Sequence, residues 1–553
     1  MRVMWAARAS AGRVRPLEPR CEVRAHVAGG WVCGASARAD QNTLYASFRG
    51  VPYATQPLGQ LRFKGPICPQ HDVIYGNLVE PSGISEACIH ANIHVPMYAL
   101  PGSAARVLQD SPESLESGLP VMVFIHGGGF AAGSGDRDLH GPEYLMRRGV
   151  IVITFNYRLN VMGFLSLNTS RVPGNNGLRD MVTLLRWVRS NIKSFGGDPE
   201  QVTIAGHSAG AASAHLLTLS PAAKGLFKRA ILMSGTAIPS FYTTSPIYAN
   251  FVTNMFLQNV GINSTDPEEI HRRLVTMNIQ QMMNANRIVQ DQIGVTAFLP
   301  VVETPFSGVT TILDEDPQVL LSRGVGKDIP LLIGYTSAEC EFFRPNFEKI
   351  DIVSQIKQNP LMLLPINKIY SLPPKIGLEY AKNIEKRYFN GETTMSKYIK
   401  YCTDVYYEFP ALEISSRRPA FLDAAPVFLY KFSYQPDYSV LKEGKGLMYK
   451  GACHGEDLTF ILKPNSDKSL QDLYTPLSRD SLMKDWMTWM IHLFVYCDDP
   501  TCTQFQQEAW PATNTPRVHY QHINNPGIYR YTGLTDEQQG KLQFFESVFG
   551  VRT

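Results

Sequence analysis

"VTIAGHSAGAASAHLL", residues 202–217, changes character halfway along. It opens with apolar and β-branched residues, turns small through Gly206, His207, Ser208, Ala209 and Gly210, and then reads as the first turns of a helix. A sharp strand-to-helix turn crowds the positions two before and two after its apex, and glycine at both places removes the Cβ atoms that would clash. The apex serine is then held in a strained backbone conformation with its side chain clear of its neighbours. The helix that follows brings backbone N–H groups and a positive dipole end close to the serine oxygen, where developing negative charge is stabilised. A five-residue pattern arises by chance in many chains. The apolar strand before it and the helix after it are the context that gives this one meaning.

A second glycine-rich stretch, "FIHGGGFAAGSG" from Phe124, places Gly127, Gly128 and Gly129 directly after another apolar run. Consecutive glycines let backbone N–H groups approach a ligand unobstructed. Gly128, Gly129 and Ala209 are therefore the expected oxyanion hole. Serine needs a base to become a nucleophile, and the chain has 13 histidines. His126 and His207 adjoin the two motifs, and His215 lies on the helix after Ser208, where packing is the simpler reading. His454, in "YKGACHGEDLTFIL", follows the strand-like "PVFLYKFSY" in a loop of small residues from which an imidazole can reach the serine. Glu339, in "LLIGYTSAECEFF", sits just past another strand end and is the expected acid, in preference to Glu341 and Asp457. The order Ser208, Glu339, His454 is the nucleophile, acid, base order of an α/β-hydrolase.

The runs "PVMVFIHGGG", "VIVITFNYR", "RAILMSGTA" and "PLLIGYTSAE" are continuously apolar rather than alternating, as strands buried on both faces of a sheet are. Between them lie helical stretches such as "MVTLLRWVRSNIKSF", with Leu184, Leu185, Val188 and Ile192 on one side. The class is α/β. An α/β-hydrolase fold is expected, with a large central, mostly parallel sheet flanked by helices and helical insertions at 240–320 and 345–420 over an active-site gorge. No repeat or linker divides the chain, so residues 21–553 read as one domain and residues 1–20 as a disordered leader.

The 553 residues are 44% hydrophobic and 18% charged, an ordinary soluble composition. The formal charge is +3 and no run of Lys or Arg forms a nucleic-acid footprint. "WMTWMIHLFVYC" (Trp486 to Cys497) is too short to span a bilayer and, with Trp486, Met490, Leu493 and Cys497 at helical spacing, reads as a buried helix. Nine cysteines leave at least one without an intrachain partner. Asn168 and Asn263 head sequons and are glycosylation candidates in a secreted protein. Arg8 and Arg13 interrupt the apolar stretch of the leader, which therefore does not read as a signal peptide.

Together with "FRGVPYATQPLGQLRFKGP", "NYRLNVMGFLS", "GNNGLRD", "IKSFGGDPEQVTIAGHSAG" and "GACHGEDL", these motifs resemble, in order, the type-B carboxylesterases of the cholinesterase-like α/β-hydrolase family, most of all those of insects. The resemblance implies a serine carboxylesterase acting through an acyl-enzyme, with Ser208, Glu339 and His454 as its triad and no metal or cofactor. It also implies a disulfide between Cys68 and Cys88, ion pairs Arg62–Glu86 and Arg158–Asp180, and a supporting role for Ser234 beside the acid. Cys340, Cys453, Cys497 and Cys502 match no second family disulfide, and Cys340 stands where glycine usually follows the acid. The connection from Lys64 to Cys68 is shorter than the family pattern, and "SEACI" replaces its S-E-D-C-L.

No tryptophan lies between Cys68 and Cys88 to hold a quaternary ammonium by cation–π attraction. His207 also replaces the acidic residue that precedes the cholinesterase nucleophile, so choline esters are not expected. The substrate expected is a small-molecule ester of the xenobiotic, odorant or pheromone class. The alternatives are a juvenile hormone esterase-like hydrolase, weakened because those enzymes carry glutamine where His207 stands, and a sequestering protein of slow turnover. The sequons and the disulfide favour secretion, which the leader does not support; the alternative is a cytoplasmic protein.

Overall fold

The computed structural model describes residues 21–54, 68–71, 74, 86–103, 118–238, 242–294, 297–466, 477–502, 509–513, 518–528 and 530–549. Among the described residues the apolar runs become the middle of a twelve-stranded sheet. The first strands are β1 (Val23–Val27), β2 (Gly30–Arg38), β3 (Leu44–Pro52), β4 (His90–Pro96), β5 (Leu119–Ile125) and β6 (Ile151–Phe155). They are followed by β7 (Gly197–His207), β8 (Arg229–Met233), β9 (Leu331–Thr336), β10 (Val427–Phe432), β11 (His519–Ile523) and β12 (Tyr531–Gly533). The spatial order is β1-β2-β3-β4-β6-β5-β7-β8-β9-β10-β11-β12. From β6 to β11 every neighbouring pair is parallel, whereas β1 to β4 and β12 add antiparallel edges.

The pleat sends alternate residues of each central strand to opposite faces. Val121, Val123 and Ile125 join a core with Leu178, Met181, Leu185 and Val188 of the helix Asn176–Asn191 and with the helix Ala209–Leu219. Met122 and Phe124 face the other way, onto Met483, Met487, Ile491 and Phe494 of the helix Arg479–Cys497. Both faces are thus covered, which is why these strands carry no polar alternation. The segment from Trp486 is the buried helix its spacing predicts. Among the described residues no helix is long and apolar enough to cross a membrane.

Register aligns the carboxyl ends. Ile125 pairs with Gly206, His207 with Met233, Met233 with Gly334, and Thr336 with Phe432. The loops leaving β5, β7, β8, β9 and β10 therefore emerge side by side, the place where open parallel sheets build their sites. The insertions are largely helical, including Pro246–Asn259, Ile279–Ile293 and Phe409–Arg417.

Four disulfides are present, and three of them link cysteines that the sequence left unassigned. Cys68 joins Cys88, as the family resemblance implies. Cys340 joins Cys402, Cys497 joins Cys502, and Cys21 joins Cys33 across the β1–β2 hairpin. Cys453 is free and buried. Arg158 and Asp180 form the expected ion pair, at 2.6 and 2.8 Å. Arg62 and the leader 1–20 lie outside the described residues. Asn168 and Asn263 are both exposed.

Candidate active site

β7 ends at His207 and a helix begins at Ala209, leaving Ser208 alone at the corner with φ 57° and ψ −124°. A positive φ is costly for any residue with a Cβ, and such strain persists only where the surroundings impose it. Here the glycines impose it. A Cβ on Gly206 would stand 2.2 Å from the Gly210 carbonyl oxygen, and one on Gly210 would stand 2.0 Å from that of Ile125. The chain can therefore pass close enough to itself to turn within one residue. Gly127 shows the same economy of space, since a Cβ there would meet the Ser208 Cβ at 3.0 Å. This seats the loop after β5 directly against the serine.

Among the described residues, the backbone N–H groups of Gly128, Gly129 and Ala209 donate to no acceptor in the chain. Gly128 and Gly129 both have positive φ, 109° and 61°. His126, which precedes them, is tied down elsewhere: its ring stacks on Tyr157 at 4.3 Å, and its Nδ1 contacts the Gly127 carbonyl.

Glu339 begins a short helix just past β9, and His454 lies in the loop after β10. The two loops are bound together by Ala338 N donating to Ala452 O at 2.9 Å and Ala452 N donating to Ser337 Oγ at 3.1 Å. The Cys340–Cys402 disulfide, one residue beyond the acid, ties the same turn to the helix Met395–Thr403. Across this frame His454 Nδ1 meets Glu339 Oε2 at 2.6 Å. The other carboxylate oxygen accepts from Ser234 Oγ and from the Thr336 N–H, both at 2.7 Å.

His454 is enclosed by the rings of His207 at 4.4 Å, Tyr407 at 5.1 Å, Phe343 at 5.3 Å and Phe342 at 6.0 Å. Its Nε2 is buried and makes no hydrogen bond among the described residues. Ser208 Oγ instead lies 3.3 Å from the hydroxyl of Tyr242, a fully buried residue.

Burial dominates the electrostatics. It pushes the Glu339 carboxyl up to about 7 against the pull of the Ser234 and Thr336 donors. It pushes the His454 imidazole down to about 3, with the Lys445 charge adding to the effect. His207 is driven well below the usual histidine range by burial and by His454 beside it, so it stands neutral. With Glu339 ionised, the natural arrangement is a proton on His454 Nδ1 and an open lone pair on Nε2, the state a general base requires.

The alternatives weighed from sequence are engaged elsewhere. Glu341 pairs with Arg344 at 2.7 Å, and Asp457 accepts from Tyr430 Oη at 2.7 Å. His215 accepts from the Ala237 N–H at 3.1 Å and, with Thr218 of the same helix, lines a separate cavity of about 430 Å³. Tyr242 was not singled out from the sequence. It lies 34 positions from Ser208 along the chain and reaches it only through the fold. No group of three or more His, Cys, Asp or Glu residues is placed to hold a metal among the described residues.

The carboxylesterase family profile matches residues 21–539. A juvenile hormone esterase of Heliothis virescens is 49% identical over 543 residues, covering 95% of this chain and 94% of its own. A para-nitrobenzyl esterase of Bacillus subtilis (strain 168) is 32% identical over 438 residues, 75% of this chain and 78% of its own. Among solved structures, the juvenile hormone esterase of Manduca sexta with OTFP covalently attached superposes with a TM-score of 0.89 at 49% identity, covering 96% of this chain and 100% of that one.

Proposed function

The chain belongs to the carboxylesterase family and is a serine carboxylic-ester hydrolase, and on that premise we propose that Ser208, Glu339 and His454 carry its chemistry and that its substrates are juvenile hormone esters. The reading of the residues is carried by one observation: Glu339 holds His454 at 2.6 Å at the carboxyl ends of the strands, where Ser208 caps β7. His454 Nε2 takes the Ser208 proton as the hydroxyl attacks the ester carbonyl. The N–H groups of Gly128, Gly129 and Ala209 receive the oxyanion, each donor contributing about 3 to 4 kcal/mol of barrier lowering. The imidazolium then protonates the leaving alcohol, and water repeats the sequence on the acyl-enzyme. Glu339 stabilises the charged ring and holds its tautomer.

The choice of juvenile hormone rests on two relatives of that printed activity that match nearly the whole chain. His207 is no obstacle to it. A neutral buried imidazole offers His454 an uncharged polar neighbour, as the glutamine amide of those enzymes does. Secretion with glycans on Asn168 and Asn263 belongs to the same proposal, supported by the exposure of both side chains and by the four disulfides.

Ser208→Ala tests the residues: p-nitrophenyl acetate hydrolysis should fall to the buffer rate with the circular dichroism spectrum unchanged, and retained turnover would remove Ser208 from its role. A panel of juvenile hormone, odorant acetates and p-nitrophenyl esters tests the substrate. A kcat/KM for the acetates ten times that for the hormone would return the enzyme to the odorant or xenobiotic class.

A further inference from the structure

The hydroxyl of Ser208 and the lone pair that should take its proton are not joined. Ser208 Oγ is 3.3 Å from Tyr242 Oη, while His454 Nε2 makes no hydrogen bond among the described residues. Tyr242 is itself fixed. Its Oη also reaches the Ser234 carbonyl oxygen at 3.5 Å and shares a hydrogen bond with the Tyr407 hydroxyl. Ser234 is the residue whose side chain donates to Glu339, and the Tyr407 ring packs on His454. One phenol therefore touches the nucleophile, the acid's supporting residue and the tyrosine that walls the base.

We propose that Tyr242 is a positioning residue that parks the Ser208 hydroxyl away from His454 in the free enzyme, so that acylation must first turn the serine side chain from the phenol to the imidazole. The Oη of a tyrosine can accept one proton while donating its own. With the Ser234 carbonyl oxygen taking the phenol's own proton, the Tyr242 oxygen is left to receive, and the Ser208 O–H is the donor on that side. The proton so directed is the one the base must remove, and the parked state is unproductive. At 3.3 Å the contact is at the long end for two hydroxyls, which suits a group that must let go in every turnover. Once Ser208 is acylated it has no proton to park, so the hold acts on the first half of the reaction alone.

The proposal rests on Ser208 being the nucleophile, and the experiment separates the two. Tyr242→Phe removes the hydroxyl and keeps the ring. Wild type and variant are mixed with diethyl p-nitrophenyl phosphate, and the second-order labelling rate is measured, with mass spectrometry to locate the phosphoryl group and the p-nitrophenol burst to count competent sites. The expected result is labelling at Ser208 about 2- to 10-fold faster in Tyr242→Phe, the factor one neutral hydrogen bond supplies. kcat/KM for p-nitrophenyl acetate should rise in the same proportion, while the deacylation rate read from the post-burst phase of p-nitrophenyl acetate hydrolysis stays unchanged. A labelling rate equal to or below that of wild type, or a parallel change in deacylation, would overturn the parking role. Label found on a residue other than Ser208 in both proteins would instead overturn the assignment of the nucleophile.

Discussion

Ser234→Ala isolates what keeps a buried carboxylate ready to act. Ser234 is 1% exposed and donates its hydroxyl to Glu339 Oε1 at 2.7 Å, sharing that oxygen with the Thr336 N–H. Burial has already raised the Glu339 carboxyl to about 7. A hydrogen bond to a charged group contributes about 1.5 to 3 kcal/mol, and about 1.4 kcal/mol moves a pKa by one unit. Losing the hydroxyl should therefore carry the acid from about 7 to about 8 or 9. The sign follows from burial: the folded protein prefers the protonated acid, so activity that needs the carboxylate appears as pH rises through that value and is lost below it. At pH 7 the ionised fraction falls from about one half to between about 9% and 1%, which predicts a loss of about 5- to 50-fold in kcat/KM. The assay is kcat/KM for p-nitrophenyl acetate from pH 5 to 10. The acid limb should shift to higher pH by one to two units (about the amount worked out above), with most of the wild-type rate recovered at the alkaline end. A limb that stays in place with a uniform loss at every pH would mean that Ser234 only fills space, and the electrostatic argument would fail.

Glu339→Gln should keep the fold but present an amide N–H to His454 Nδ1, forcing the ring into the tautomer with its proton on Nε2. kcat should drop by about 10⁴-fold, as when a buried triad acid is neutralised elsewhere, and a loss under tenfold would remove Glu339 from the triad. The double variant Cys340→Ala with Cys402→Ala opens a loop of 62 residues beside the acid. Chain entropy puts the cost at about 4 kcal/mol, to be read as a lower urea midpoint by tryptophan fluorescence, together with reduced activity under mild denaturation. An unchanged midpoint would mean that the disulfide does not form in the purified enzyme.

Much of this molecule is visible before folding because its features are local. A glycine two residues either side of a serine, between an apolar strand and a helix, can do little but turn, and the turn found at Ser208 has the predicted shape. The buried strands announce themselves as unbroken apolar runs because helices cover both faces of β5 to β10. The edges were harder to see. β1 to β4 and the short β11 and β12 carry mixed patterns, and their pairing is a matter of partners rather than of composition. The cysteines make the same point. Cys340 and Cys402 lie 62 positions apart and meet only because the turn after β9 packs on the helix Met395–Thr403, a distance no spacing rule contains.

The site divides along this line. The residue types proposed for it and their order along the chain come from short motifs, since each motif is a complete piece of backbone chemistry. The contact of Tyr242 with Ser208, the aromatic wall around His454 and the resulting shifts of Glu339 and His454 arise between segments distant in the chain. Burial and proximity are properties of a packed interior and of no single segment. They exist only once the strands have aligned their ends.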